Sequence, residues 1–238
     1  MYFDPLYWLV IGAGMLLSLW AQFRVKSTFS RYSQEITRSG LTGADVARRI
    51  LEINRIDGVT IEGVQGSLTD HYDPRIRKLR LSEDVYARRS IAAAGVAAHE
   101  VGHAIQHAQS YGPLRFRSAW VPVANLGGGV SMFVIIAALG MGGMATALGR
   151  TLATVGILMF ATTTAFTLIT LPVEFDASRR ALASLQSGGV IPADEVAGAR
   201  RVLSAAALTY VAAFVTSLLT LLYWLVRLGL IGGGRRRD

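Results

Sequence analysis

The residues of this chain best suited to chemistry lie together in Ala97-Ala98-His99-Glu100-Val101-Gly102-His103. Two histidines stand four residues apart, and a glutamate directly follows the first. On an α-helix, residues i and i+4 share one face, roughly 6 Å apart along the axis. Two imidazoles so placed can hold one Zn²⁺, and Glu100 can reach a water at the open metal position. The spacing predicts a hydrolase working at neutral pH, with His99 and His103 as metal ligands and Glu100 as general base. The preceding Ile91-Ala92-Ala93-Ala94-Gly95-Val96 is small and helix-favouring, so the helix can be buried with its ligands facing inward. Burying two imidazoles and a carboxylate there without a shared partner would be costly.

A catalytic zinc site takes a third protein ligand. The chain has 4 histidines and no cysteine, so that ligand must be His, Asp or Glu. His107 lies four residues past His103, but at ~12 Å from His99 along the axis it is poorly placed for the same ion. It reads instead as a core residue or an outer support. His71, in Leu68-Thr69-Asp70-His71-Tyr72-Asp73, reads as a loop residue ahead of a strand. Glu174 is the best-placed candidate. It follows the third apolar block and reads as the start of a helix, where a carboxylate would also suit the helix dipole. His71 and Tyr210 are candidate donors to a reaction oxyanion. The strand near Arg75 to Leu81 reads either as an edge able to pair with an extended peptide or as packing beneath the active helix.

These residues must be positioned by an unusually apolar chain. It has 238 residues, 52% of them hydrophobic and 17% charged, with a net charge of +8. Such an excess of positive charge in an apolar chain points to membrane flanks and anionic lipid. There is no basic stripe interleaved with aromatics, so nucleic acid is not an expected partner. Four apolar blocks stand out: Pro5 to Phe23, about Ala119 to Gly143, about Leu152 to Val173, and about Ala205 to Ile231. Each is long enough to cross a ~30 Å hydrocarbon layer. The first reads as a retained anchor, because Asp4 stands where a signal peptide carries basic residues. The middle two read as a hairpin, and their Gly and Thr content suits close helix contact in lipid.

The polar stretch Arg24 to Ser118 reads as a small α+β unit. Thr42 caps a helix running to about Asn54, Val59 to Val64 alternates as a strand, and Ser82-Glu83-Asp84 opens a helix. Ser90 to Gln109 is the Ala-rich helix that carries the histidines. A second polar stretch, Glu174 to Ser204, reads as a helical continuation, a Ser187-Gly188-Gly189 break and a short helix after Pro192. Two crossings separate the polar stretches, so both face one side. Arg24, Lys26, Arg31, Arg115, Arg117, Arg179, Arg180, Arg200 and Arg201 flank the blocks on that side. Arg150 and the terminal Arg235, Arg236 and Arg237 fall on the other if the last block crosses. The larger set places the polar stretches in the cytoplasm.

Several long motifs carry a family resemblance. Gly66-Ser67-Leu68-Thr69-Asp70-His71-Tyr72-Asp73-Pro74, Val96 through His107, and Leu171-Pro172-Val173-Glu174-Phe175-Asp176-Ala177-Ser178-Arg179-Arg180 resemble the YugP-like zinc metallopeptidases of bacterial membranes. The resemblance covers nearly the whole chain. It implies a membrane-integrated zinc peptidase acting on proteins or peptides, membrane proteins among them. A more distant similarity runs to the HtpX and Oma type gluzincins. There, a later helix supplies a ligating glutamate and an aspartate four residues on orients a zinc-bound histidine. Carried over, Glu174 is the third ligand and Ser178 occupies the aspartate position. That departure leaves the orienting role open among Ser178, Asp176 and Asp73.

The expected fold is therefore a mostly α membrane protein with about four transmembrane helices and a small α+β zincin-like catalytic domain. Its expected parts are an anchor (1–23), the metallopeptidase domain (24–118), a transmembrane hairpin (119–173), a cytoplasmic segment bearing the third ligand (174–204), and a last transmembrane helix with a basic tail (205–238). The expected activity is zinc-dependent endopeptidase action, with one Zn²⁺ per chain, at the cytoplasmic membrane. A scaffold with a structural zinc fits less well, because such a site has no use for Glu100 and closes with four ligands. A site-2-type intramembrane protease also fits less well, since Arg88, Arg89 and Gln106 leave the active helix too polar-ended to span.

Overall fold

A computed structural model describes residues 4–231. The terminal arginines Arg235, Arg236 and Arg237, which bear on whether the last block crosses, lie outside the described residues. The protein is mostly α-helical with one small sheet. In chain order its elements are α1 (Pro5–Ser33), α2 (Gly43–Ile53), β1 (Thr60–Val64), β2 (His71–Asp73), β3 (Lys78–Ser82), α3 (Glu83–Tyr86), α4 (Ile91–Ala108), α5 (Gly112–Gly140), a single 3₁₀ turn (Gly143–Ala145), α6 (Ala147–Ser187) and α7 (Val196–Arg227). Among the described residues, 4 helices are long and apolar enough to cross a membrane: α1, α5, α6 and α7. The chain divides into two compact units. One comprises residues up to Trp20, Phe116–Thr170 and the chain from Tyr210 on; the other comprises Ala21–Arg115 and Leu171–Thr209.

The first unit is built from apolar helix segments that meet through small residues. A Cβ on Gly127 would collide with the Met159 carbonyl, and one on Gly156 would press on the Ile135 side chain. Both contacts join α5 to α6, as the Gly and Thr content predicts for a hairpin in lipid. Hydroxyls add polar ties between helices: Thr167 and Ser217 lie 3.0 Å apart, and the Trp120 indole donates to the Thr162 carbonyl at 3.1 Å. Ile135, Ala153, Ile157, Tyr223 and Trp224 form the interior.

The second unit is organised around α4, whose small residues let neighbours approach. Val46, Ala47, Ile50 and Leu51 make one buried face of α2 and share a core with Ala97, Ala98 and Val101 of α4. Thr42 starts α2 with a reciprocal cap, its side chain accepting from the Asp45 amide while the Asp45 carboxylate accepts from the Thr42 amide. Leu79, Leu81 and Val85 are fully buried in the same core. Each such side chain contributes roughly 1.5–3 kcal/mol by removal from water. The core also takes in Ala181 and Leu185 of α6 and Ala199, Val202 and Leu203 of α7. The α+β stretch therefore does not stand alone but closes over the parts of α6 and α7 in its own unit. Glu195, just ahead of α7, reinforces this by accepting from the Thr37 hydroxyl at 2.6 Å and the Arg38 amide at 3.1 Å.

Three features differ from the sequence expectation. The sheet has the order β1-β3-β2, with β3 parallel to β1 and antiparallel to β2. The strand near Arg75 to Leu81 is therefore central rather than an edge, and its backbone is committed on both sides. His71 opens a strand, β2, rather than sitting in a loop. Finally, α6 runs unbroken through Pro172, so Glu174 lies inside a helix rather than at its start. A proline there forfeits one backbone hydrogen bond without ending the helix, a loss apolar helices tolerate when neighbours pack around them. The segment after Pro192 likewise merges into α7 instead of forming a separate short helix.

Candidate metal centre

The centre arises where one stripe of α4 meets one stripe of α6, all within the second unit. Ser90 caps α4 by accepting from the Ala93 amide at 3.1 Å, and the helix then runs unbroken to Ala108. His99, Gly102, His103 and Gln106 fall at i, i+3, i+4 and i+7, one helical face. Val173, Glu174, Ala177 and Ser178 fall at i, i+1, i+4 and i+5 of α6, likewise one helical face. The contacts pair in opposite chain directions: His99 with Ser178, Gly102 with Ala177, His103 with Glu174, and Gln106 with Val173. Gly102 is what permits the approach, because a Cβ there would strike the Ala177 carbonyl.

At the centre, the Nε2 atoms of His99 and His103 both face one oxygen of Glu174, at 3.2 and 3.5 Å. The donor atoms of all three residues lie within 4.8 Å of one another. The two imidazole rings are 4.8 Å apart at 83°. The carboxylate side chain is 3% exposed, the imidazoles 13% and 12%. Tetrahedral zinc with bonds of about 2.0–2.1 Å sets neighbouring ligand atoms ~3.3 Å apart. The two nitrogen–oxygen separations match that edge, and two imidazoles with one carboxylate form a catalytic zinc ligand set. The residues present therefore fit the ion.

Each imidazole is fixed from its far side. His99 Nδ1 lies 3.0 Å from the Ser178 hydroxyl, and His103 Nδ1 lies 3.0 Å from Gln106 Oε1. The Gln106 amide has only one chemically sensible orientation. Its nitrogen donates to the Val173 carbonyl at 2.8 Å and to the Asp176 carboxylate at 2.9 Å, both pure acceptors. Its oxygen must then accept, so His103 carries its proton on Nδ1 and turns the Nε2 lone pair toward the cluster. Asp176 is held in turn by Arg179 and Arg180, and Arg180 also donates to Gln109. Of the three residues left open for the orienting role, Ser178 contacts His99 directly and Asp176 reaches His103 through Gln106. Asp73 instead pairs with Arg75.

Glu100 is 8% exposed and accepts no hydrogen bond among the described residues. Burial pushes its carboxyl above the ordinary carboxylate range; His99 and His103 pull it down, while Glu174 and Asp70 push it further up. Asp70 is anchored by the Ser82 amide at 2.7 Å. The His103 imidazole is raised. Burial acts against its charged form, but the Glu174 carboxylate beside it outweighs that cost.

His107 and His71 lie outside this cluster. His107 accepts or donates to the Tyr72 hydroxyl at 2.8 Å, beside a cavity of about 610 Å³ that the cluster residues do not line. His71 is exposed on β2, with Nδ1 on the Thr69 carbonyl at 2.8 Å. Tyr210 belongs to the other unit. Gln106 is the residue that sequence reasoning missed. Its signal was a polar side chain three residues past His103, on the ligand stripe of an otherwise apolar helix.

Among the described residues, four membrane-length helices and a buried His/His/Glu cluster, beside a glutamate with no hydrogen bond there, are the features expected of a membrane zinc metallopeptidase. The sequence pattern of the family described as "Putative neutral zinc metallopeptidase" matches residues 7–229, and the chain belongs to that family. It is also 50% identical over 210 residues to a Bacillus subtilis (strain 168) protein named "Putative membrane protease YugP", covering 88% of this chain and 91% of that one. No solved structure matches the chain.

Proposed function

We propose that this protein is a membrane-bound zinc endopeptidase in which His99, His103 and Glu174 hold one Zn²⁺ and Glu100 is the general base. The observation that carries this reading is the convergence of both Nε2 atoms on one Glu174 oxygen. When bound, zinc supplies Lewis acidity toward the scissile carbonyl and acidifies water. Glu100 takes the proton of the attacking water and returns it to the leaving amine nitrogen. Glu100 accepts no hydrogen bond among the described residues, so none has to break first. Gln106 and Ser178 keep the imidazoles oriented. The larger set of arginines flanking the apolar blocks supports a cytoplasmic side for the catalytic stretches.

The test uses the full-length protein in detergent, with zinc content and cleavage of an unfolded protein measured side by side. Glu100→Gln keeps the metal and loses about 10²–10⁴-fold in cleavage rate. Glu174→Ala loses zinc. Full cleavage by the first variant, or undiminished zinc in the second, removes the assigned roles.

A further inference from the structure

A second polar feature of the same unit lies away from the metal cluster. The last turns of α1 and the first turns of α7 flank an open cavity of about 670 Å³. Four arginines line it: Arg24, Arg31, Arg200 and Arg201. No carboxylate lines it. Arg24, Arg200 and Arg201 make no ion pair among the described residues, and Arg31 has only a loose, exposed pairing with Glu35 at 3.6 Å. Four positive charges facing one cavity repel one another, and an anion seated among them relieves that repulsion.

Tyr32 gives the group a fixed shape. Its hydroxyl accepts from Arg201 at 3.0 Å, and the Arg31 guanidinium lies 5.4 Å over its ring. The Tyr32 side chain is buried, so both arginines rest on a rigid platform. The tyrosine hydroxyl still has its own proton to donate. Thr28 and Ser204 add hydroxyls at the rim, and Ala205 and Leu208 add an apolar floor. Guanidinium forks with hydroxyl donors match the oxygens of a phosphoryl group.

The sequence fixes the level of this cavity along the two helices. Arg24 is the first charge after the uncharged run of α1, and Arg201 is the last before the uncharged run of α7. The arginines therefore stand where both apolar stretches end, the depth of lipid headgroups, and the apolar floor begins on the membrane-facing side of them. The geometry points to a binding site for a phosphoryl anion in this cavity, as presented by the headgroup of an acidic phospholipid. This inference does not depend on the peptidase reading.

The full-length protein in neutral detergent is titrated separately with short-chain phosphatidylglycerol, short-chain phosphatidylcholine and inorganic phosphate. Melting temperature and ligand adducts by native mass spectrometry are the readouts. Phosphatidylglycerol should raise the melting temperature and add to the protein, and phosphatidylcholine should not. Arg24→Gln/Arg200→Gln removes two guanidiniums that make no ion pair or hydrogen bond among the described residues, and should weaken phosphatidylglycerol binding roughly tenfold or more. Ser204→Glu, a change at an exposed rim position, should do the same by placing a carboxylate among the arginines. Arg55→Gln/Arg89→Gln removes the same charge elsewhere and should bind as the native protein does. Saturation by inorganic phosphate alone would assign the site to free phosphate; a response to the lipid only assigns it to the headgroup. Equal binding of both lipids, or unchanged binding in both cavity variants, overturns the site.

Discussion

In the unit that contains Phe116–Thr170, large apolar side chains face outward. Leu16 is 67% exposed and Phe133 74%, while Gly127 and Gly156 sit at the helix contacts. In the unit that contains α4 the order is reversed: Leu79, Leu81 and Ile50 are fully buried, and arginines such as Arg48 and Arg88 are outside. The difference teaches what each solvent rewards. In water, burying a leucine drives folding. In lipid, a leucine gains nothing by moving inward, so packing decides, and small residues such as Gly127 and Gly156 mark the closest helix approaches beside larger buried side chains such as Ile135 and Trp224. A third kind of interior appears in the second unit, where Glu174, Asp176 and Gln106 are buried in a connected polar chain. Such a chain is tolerable because its members satisfy one another.

Three substitutions test this contrast. The largest effect belongs to Leu81→Ala, which should cost about 2–5 kcal/mol in chemical unfolding followed by a probe of the second unit. Gln106→Leu keeps the volume but removes the acceptor for His103 Nδ1. It should weaken zinc affinity about 10–100-fold in a chelator competition, with helix content by circular dichroism unchanged. The smallest effect belongs to Phe133→Ala, expected within about 0.5 kcal/mol because its ring is already outside. A Phe133→Ala loss as large as that of Leu81→Ala would erase the distinction between the units. A Gln106→Leu variant with native zinc affinity would reduce the polar chain to packing.

Much of this was legible in the sequence. The histidine-bearing helix α4 was bounded within a residue because its cap, Ser90, and its small apolar run are local signals. The Thr42 cap and the four apolar blocks were readable for the same reason. The sheet was not. A three-residue strand such as β2 has too few positions to display an alternation, and only tertiary pairing reveals that β3 is central. The helix start expected at Glu174 was misplaced because the change from apolar to polar residues reads as an element boundary, whereas α6 continues straight across it. The Glu174 position followed from its place beyond the hairpin, whereas Gln106 declared itself only once α6 lay against α4. His71 shows the reverse. A histidine in a promising motif proved to be an exposed strand residue held by Thr69.

The bare α-carbon at position 102 has a consequence of its own. Two helical backbones touch there with no side chain between them, so the depth of the carboxylate pocket is set by a spacer of zero length. A single methyl at that point would act as a wedge and move the Glu174 helix outward while leaving every donor atom chemically intact. Should the proposed site hold its metal, loss of that metal in a variant need not implicate a ligand; a methyl group in place of one hydrogen of Gly102 is expected to suffice.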